Sequence, residues 1–585
     1  MVFSSEACFE DAVIAILKQH GWDDADGVIC YPTEQALIDN WASWLFKNNQ
    51  GIDQLNGQPL TEGEMRQILE QIAALRTPNR LNGFINGKSV TITRDNPNDP
   101  LHLGTPVTLD IYDRNEIAGG KSRYQIVRQP KFTTAPMLNQ RRGDLMLLIN
   151  GMPVIHIELK RSGVPVSEAC HQIQKYMHEG VFTGLFSLVQ IFVAMTPEET
   201  VYFANPGPDG QFNGDFQFHW ADSNNEPINE WSRVCAELLN IPLAHQLVGS
   251  YSVADEQTGT LKVMRSYQYY AANRIASRAA KARWGEVNPY GGFVWHTTGS
   301  GKTLTSFKSA QLIASAGHAD KVVFLVDRIE LGAQSYNEYN SFADEGEEVQ
   351  RTEDTGVLVK RLKSNDPADT LIVTSIQKMN VLANDLKEVD LAAISSKRTV
   401  FIVDECHRSV FGDMLSSIRR AFPEALFFGF TGTPIQEENK KHESTTSMVF
   451  GDELHRYSIA DGLRDKNVLG FDPYMVCTFR DKDIRQQVAL ERVHAATQEE
   501  ALSDPQKRST YLKYMDPSQV PMAARHLPDG TDQEGIEKYV PSAQYTSDEH
   551  RNGVVADIQE GFATLSKGGR FHAILATSSI AEAIE

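Results

Sequence analysis

Hydrophobic positions fall into two rhythms along the chain. Up to about residue 245 the pattern is mixed: an amphipathic helix over residues 4–20, polar loops, then a run of strands. From about 260 to 435 short apolar runs recur at GFVWH (292–296), KVVFLV (321–326), TLIVTS (370–375), TVFIVD (399–404) and ALFFGF (425–430), most of them separated by helical stretches. Apolar strands alternating with helices predict a parallel sheet covered on both faces. The spacing therefore predicts an α/β protein, with a mixed-sheet N-terminal domain followed by parallel α/β domains. Residues 500–550 are polar and rich in Pro, Asp and Gln and read as a long connection or insertion. RFHAILATSSIAEAIE (570–585) reads as a strand turning into a helix, inside which the sequence stops.

The hairpin RRGDLMLLINGMPVIHIELKRSG (141–163) carries the first candidate chemistry: strand DLMLLI, an Asn-Gly turn, strand VIHIELK. A three-residue loop at 150–152 sets Asp144 opposite Glu158. Glu158 and Lys160 lie two apart, so both point to one face of the strand. Two carboxylates suit a hard cation such as Mg²⁺, and the ion then generates hydroxide at a scissile phosphate. Lys160 can orient the water or steady the leaving charge. Charge on apolar strands is costly unless used or paired, and Arg141, Arg142 and Arg161 suit a phosphate backbone. Alone, the spacing also fits a surface hairpin with a salt bridge. In the next helix Gln172 and Tyr176 are i, i+4 neighbours. Glu10 shares the face of Val13, Ile14 and Leu17 and either turns toward the site or is solvated.

HTTGSGKT (296–303) carries the second chemistry, between a strand and the helix TLTSFKSAQLIASA. In Thr298, Gly299, Ser300 and Gly301, a glycine-rich turn brings backbone N–H groups close to phosphate oxygens. Lys302 would reach the terminal phosphates and Thr303 would ligate Mg²⁺. His296 stands where the generic pattern has Gly. Asp404 and Glu405 of VDECH end a strand, where open α/β sheets place ligands. Asp404 can hold Mg²⁺ through water and Glu405 can polarise the attacking water.

HTTGSGKT, DECH and FTGTPI (430–435) resemble, in order and spacing, the superfamily 2 helicases and translocases. RSYQ (265–268) resembles the segment upstream of their phosphate loop, which implies adenine contact by Gln268. LVDRIEL (325–331) and SIQKM (375–379) look like segments that track a nucleic-acid backbone. Thr431 and Thr433 would link ATP state to strand contacts. The hairpin is similar to the Asp…Glu-x-Lys nucleases, and Gln172/Tyr176 to the extra motif of their RecB-type branch. That also implies a role for an N-terminal Glu, assigned to Glu10. Together, with VFGDELHRYSIADGLRDKNVLG (449–470) and FHAILATSSIAEAIE, the chain resembles the restriction (R) subunit of type I restriction–modification enzymes.

The resemblance implies a RecB-type endonuclease domain at 1–245, a RecA-like ATP-binding motor lobe at 246–470, and at 471–585 a connection with the start of a second lobe. It implies ATP-dependent translocation and metal-dependent cleavage of double-stranded DNA, in a complex with methyltransferase (M) and specificity (S) subunits. The later motor motifs, including the one bearing arginine fingers, are not in the sequence. The expectation is a C-terminally truncated fragment that binds ATP but whose ATP turnover and translocation are weak or missing. Two other readings stay open: a superfamily 2 helicase or repair translocase without restriction activity, and a non-catalytic ATP-dependent scaffold.

Bulk properties narrow the picture only slightly. At 585 residues the chain is long enough for about three or four domains. No stretch approaches the roughly 20 apolar residues of a membrane span, and MVFSSEACFEDAV does not read as a signal peptide. The six cysteines are scattered without metal-ligand spacing, which suits a reducing cytoplasm. The net charge of −20 argues against loose DNA coating, though not against a local basic groove. Arg274, Arg278, Lys281 and Arg283 in NRIASRAAKARW read as a solvated helix face, with DNA backbone contact as the alternative.

Overall fold

A computed structural model describes the chain except residues 1, 23–24, 118, 133–140, 208–211, 288, 327–336, 338–339, 341, 343–349, 352–354, 407–410, 436–444, 471–480, 527–530, 541–544, 546, 578 and 585. The chain divides into two units, Met1–Leu469 and Gly470–Glu585.

The first unit opens with α1 (Glu6–Gln19), whose first turn is capped by the Ser5 hydroxyl accepting from the Cys8 N–H at 3.3 Å. Its apolar stripe buries Phe9, Val13, Ile14 and Leu17. A six-stranded mixed sheet follows. Its strands are β1 (Ile29–Cys30), β2 (Tyr124–Arg128), β3 (Leu145–Ile149), β4 (Met152–Leu159), β5 (Ile191–Met195) and β6 (Thr200–Ala204), hydrogen-bonded in that order. Every residue of β3 and β4 is buried, so this central hairpin has no solvent face. α2 (Val166–His178) follows β4 and buries Ala169, Cys170, Ile173, Tyr176 and Met177.

The hairpin corrects one expectation. Its loop is the two-residue turn Asn150–Gly151, not 150–152, because both residues take positive φ (57° and 83°), the geometry that matches strand twist. A register shift between Leu147 and Leu148 then supplies the extra residue, and Leu145 pairs with Ile157. Asp144 and Glu158 are therefore the next residues out from that pair.

Farther along, α3 (Ser266–Ala280) and α4 (Lys302–Ser315) accompany a seven-stranded sheet. Its strands are β7 (Gly292–His296), β8 (Lys321–Val326), β9 (Gln350–Arg351), β10 (Leu371–Ser375), β11 (Thr399–Val403), β12 (Leu426–Thr431) and β13 (Glu453–Tyr457), in the order β9-β10-β8-β11-β12-β7-β13. All its pairings are parallel. Alternate residues of one strand enter different cores: Val322, Phe324, Val400 and Ile402 one, Val323, Leu325, Phe401 and Val403 another. This is the sheet covered on both faces that the apolar runs predict.

The second unit departs from expectation twice. Within 500–550 the polar sequence folds into helices such as Pro505–Met515, and with the preceding helix Asp481–Arg492 it packs two small cores, one around Ile484, Val488, Val520 and Ile536, the other around Ala489, Val493, Ala501 and Tyr511. Few apolar positions suffice there, so overall polarity concealed them. Conversely, residues 572–577 form no strand, and Ile574 and Leu575 are exposed; an apolar run becomes a strand only where a neighbour pairs with it. Among the described residues, no helix is long and apolar enough to cross a membrane.

Candidate functional site

The first site lies where β3 begins and β4 ends. Alternation along β4 puts His156, Glu158 and Lys160 on one face. The Asp144 carboxylate accepts the Leu159 N–H at 2.7 Å and has Glu158 as an electrostatic neighbour. Burial, then the neighbouring Glu158, holds Asp144 well above the usual carboxylate range. Burial likewise pushes Glu158 up to about 8, against the lowering pull of Lys160. Glu158 is fully buried, and its Oε1 has no hydrogen-bond partner. The Lys160 ammonium sits 3.6 Å from that oxygen and donates to the Leu159 carbonyl at 2.8 Å. Among the described residues no group of three or more His, Cys, Asp or Glu is clustered as a metal site. The arrangement is instead two carboxyls, an ammonium and backbone.

Gln172 and Tyr176 join this site from α2. The Gln172 amide donates to the Tyr176 hydroxyl at 2.7 Å, which donates to the Arg142 carbonyl at 2.8 Å. The helix is thereby tied to the residues just before Asp144. Burial and the nearby Glu158 raise the Tyr176 hydroxyl, so it stays a neutral donor. Arg141 is engaged bidentately by Glu179 at 2.6 and 2.7 Å; Arg142 and Arg161 are exposed.

Glu10 is not brought to the carboxyl pair. It is buried against Arg128, at 3.2 Å, and accepts from Gln129 at 3.1 Å. The acid that α1 does deliver is Glu6, one turn earlier, 3.6 Å from the Lys160 ammonium and half exposed. Glu6 lies off the apolar stripe that singles out Glu10 in the sequence. The available signal was its place in the first turn, where the helix dipole favours an acid.

The second site is built at the carboxyl end of β7. Gly299 (φ 83°) and Gly301 (φ 77°) take the left-handed backbone that L side chains avoid, and α4 starts directly after them at Lys302. A Cβ on Gly301 would come 2.7 Å from the Gln268 amide nitrogen. Gln268 donates to the Ser300 carbonyl at 3.2 Å while its oxygen accepts the Arg265 N–H at 3.0 Å. Tyr267 donates to the same Ser300 carbonyl at 2.7 Å. RSYQ thus braces the loop from behind. Lys302 is 3.7 Å from Glu405, which takes φ 47° just past β11 and donates its N–H to the Asp404 carboxylate at 2.9 Å. The FTGTP segment closes the opposite side, where the Thr433 N–H reaches the Thr431 hydroxyl at 3.1 Å and a Cβ on Gly432 would come 3.3 Å from the Thr298 hydroxyl. Thr298 and Thr303 flank the turn on its two sides.

His296 is fully buried and hydrogen-bonds the ring of His455 on β13 at 3.0 Å. Burial lowers both imidazoles, His455 to about 4, so the pair is neutral at ordinary pH. Residues 327–331 of LVDRIEL lie outside the described residues, while Ser375 of SIQKM caps a helix over Ile376–Asp385. Arg274 donates to the Leu454 carbonyl at 2.5 Å and Arg278 pairs with Asp452 at 2.8 Å, so these two of the basic stretch hold β13. Lys281 and Arg283 lie beyond the helix.

Comparison with known proteins matches both regions. Residues 3–211 match the family model for the type I restriction enzyme R protein N terminus, and residues 267–508 that for the SWI2/SNF2 ATPase. The chain is 34% identical over 94% of its length to the type I restriction enzyme SsaAORF53P endonuclease subunit of Staphylococcus saprophyticus, covering 53% of that protein. It is 32% identical, again over 94% of its length and 53% of the relative's, to the SauMRSORF196P endonuclease subunit of Staphylococcus aureus. Over 35% of its length it is 35% identical to the C-terminal part of the type I restriction enzyme MpnIIP endonuclease subunit of Mycoplasma pneumoniae, of which it covers 99%. The chain spans about half the length of the Staphylococcus relatives.

Proposed function

Since the chain belongs to the family of type I restriction enzyme endonuclease (R) subunits, we propose that it cuts double-stranded DNA at Asp144, Glu158 and Lys160 and couples that cutting to ATP at Lys302. The observation that carries the reading is the buried Glu158 Oε1 without a hydrogen-bond partner, beside a second carboxyl and a lysine. A buried carboxyl oxygen without a partner is costly in a dry site, and burial that disfavours its charge is offset when a cation meets it. Asp144 and Glu158 therefore fit a divalent ion, which we take to be Mg²⁺. A bound ion there would supply Lewis acidity and an activated water.

The protein's own groups then have separate tasks. Lys160 faces the Glu158 oxygen with an ammonium suited to a phosphate or a leaving oxygen. Glu6 holds that ammonium from the solvent side. Gln172 and Tyr176 fix the backbone ahead of Asp144. Arg142 and Arg161 are exposed to meet the DNA backbone.

In the motor part, the turn Thr298–Gly301 offers N–H groups to ATP phosphates. Its two glycines take the left-handed backbone that such a turn requires, and at Gly301 a Cβ would strike the Gln268 amide that braces the loop. Lys302 would pair with the terminal phosphates, and Glu405, at the end of β11, would orient water. Thr303 and Asp404 would hold the nucleotide's Mg²⁺. Gln268, with both ends of its amide engaged by the protein, sets the loop as well as touching adenine. Within the assembly, M and S subunits would select the DNA site while this subunit translocates and cuts.

Cleavage by the full-length subunit assembled with its partners tests this. Glu158→Ala should abolish double-strand cutting and leave ATP hydrolysis within about twofold of wild type. Cutting that survives the substitution would sink the nuclease assignment.

A further inference from the structure

We propose that His156 is a positioning residue of the nuclease site: it holds one oxygen of Glu158 and thereby presents the other, singly, to the cation. This rests on the reading of Asp144 and Glu158 as cation ligands, and refines it to one ligating oxygen.

His156 lies two residues before Glu158 on β4, on the same face and one step deeper in the sheet. Its side chain is fully buried. Its Nε2 is 3.2 Å from Glu158 Oε2, while Oε1, on the Lys160 side, has no hydrogen-bond partner. The two carboxylate oxygens are thus unlike: one is held from inside, the other faces the site.

The ring cannot swing away. Phe132, Phe182 and Phe192 surround it, with ring centroids 6.0, 5.4 and 6.1 Å distant. Gly143 closes the remaining side, where a Cβ would come 2.5 Å from His156 Cε1. That glycine directly precedes Asp144, so the imidazole's fit and the acid's position are set by the same turn of backbone.

The tautomer follows from what is unpaired. His156 Nδ1 is buried and has no hydrogen-bond partner. An orphaned buried N–H is rarer than an orphaned acceptor. The proton therefore sits on Nε2, which donates to Oε2. A leucine or phenylalanine would fill this space without an orphaned nitrogen, so packing alone does not account for a histidine. Hydrogen-bonded partners of ligating groups typically change metal affinity by about 10–100-fold when removed.

Mn²⁺ titration of the nucleotide-free 585-residue chain by calorimetry, with melting in chelator as the control, tests the proposal. His156→Phe, which keeps bulk and removes the donor, should weaken Mn²⁺ binding at least about tenfold and leave the chelated melting temperature unchanged or higher. His156→Gln, which keeps an N–H donor, should bind within about threefold of wild type. Should the Phe variant not fold, His156→Met replaces it with the same expectation. Wild-type affinity in the donor-free variant overturns the proposal. So does equal weakening in the Phe and Gln variants, which would mean ring shape matters and donation does not. Glu158→Gln separates the two levels: if it too binds Mn²⁺ like wild type, the ligand assignment itself fails, whereas loss there with wild-type binding in His156→Phe rejects only the role of His156.

Discussion

Two glutamates one turn apart on α1 have opposite fates, and the difference is a matter of which charge each one meets. Glu6 meets the Lys160 ammonium at 3.6 Å and remains half exposed. Glu10 is buried on Arg128. Glu6→Gln should therefore slow DNA cleavage, by about tenfold, with little change in stability, since exposed pairs contribute little. Glu10→Gln should do the reverse: it weakens a buried charge pair and should cost about 1–3 kcal/mol in urea unfolding, while Mn²⁺ binding persists. Equal loss of metal binding in both variants would mean that α1 acts as one unit, not through a single acid.

At the scale of elements, two connections decide whether the sites form. The Asn150–Gly151 turn sets the register of β3 on β4, and at Gly151 a Cβ would come 2.8 Å from the Trp41 Cα in a backbone of φ 83°. Gly151→Ala should destabilise the first unit by about 1–3 kcal/mol; an unchanged denaturation midpoint would show that the hairpin tolerates the slip. The second connection is the His296–His455 contact between β7 and β13. Both imidazoles are buried and lowered below the ordinary 6.5. The unfolded chain therefore binds protons that the folded chain refuses. Stability should be full above about pH 6.5 and fall as pH drops toward 4. His455→Gln, which cannot titrate, should give a shallower fall in melting temperature between pH 7 and 5. A slope as steep as wild type would place the titration elsewhere.

Much of the architecture is written in local pattern, and the sites only in part. The five apolar runs of the parallel sheet were legible because both faces are covered and β-branched and aromatic residues recur at short intervals. Asp144, Glu158 and Lys160 are legible because strand period fixes which residues share a face, and the register shift between Leu147 and Leu148 offsets the shorter turn. Glu6 was hidden because its neighbour Lys160 is remote in sequence. His156 was hidden because a buried histidine and a core residue look alike until its partner is seen. The polar stretch 500–550 misled because composition averages over the few positions that pack.

For the whole molecule, the claim is that two phosphate chemistries, each needing its own cation, share one polypeptide. Diffraction from crystals grown with Mn²⁺ and a non-hydrolysable ATP analogue, with an anomalous map at the manganese edge, addresses it directly. One peak should lie within about 2.3 Å of carboxylate oxygens of both Asp144 and Glu158, and a second beside Thr303 and the nucleotide phosphates. A map with manganese at the nucleotide alone, and no peak beside the carboxyls of Asp144 and Glu158, would contradict it.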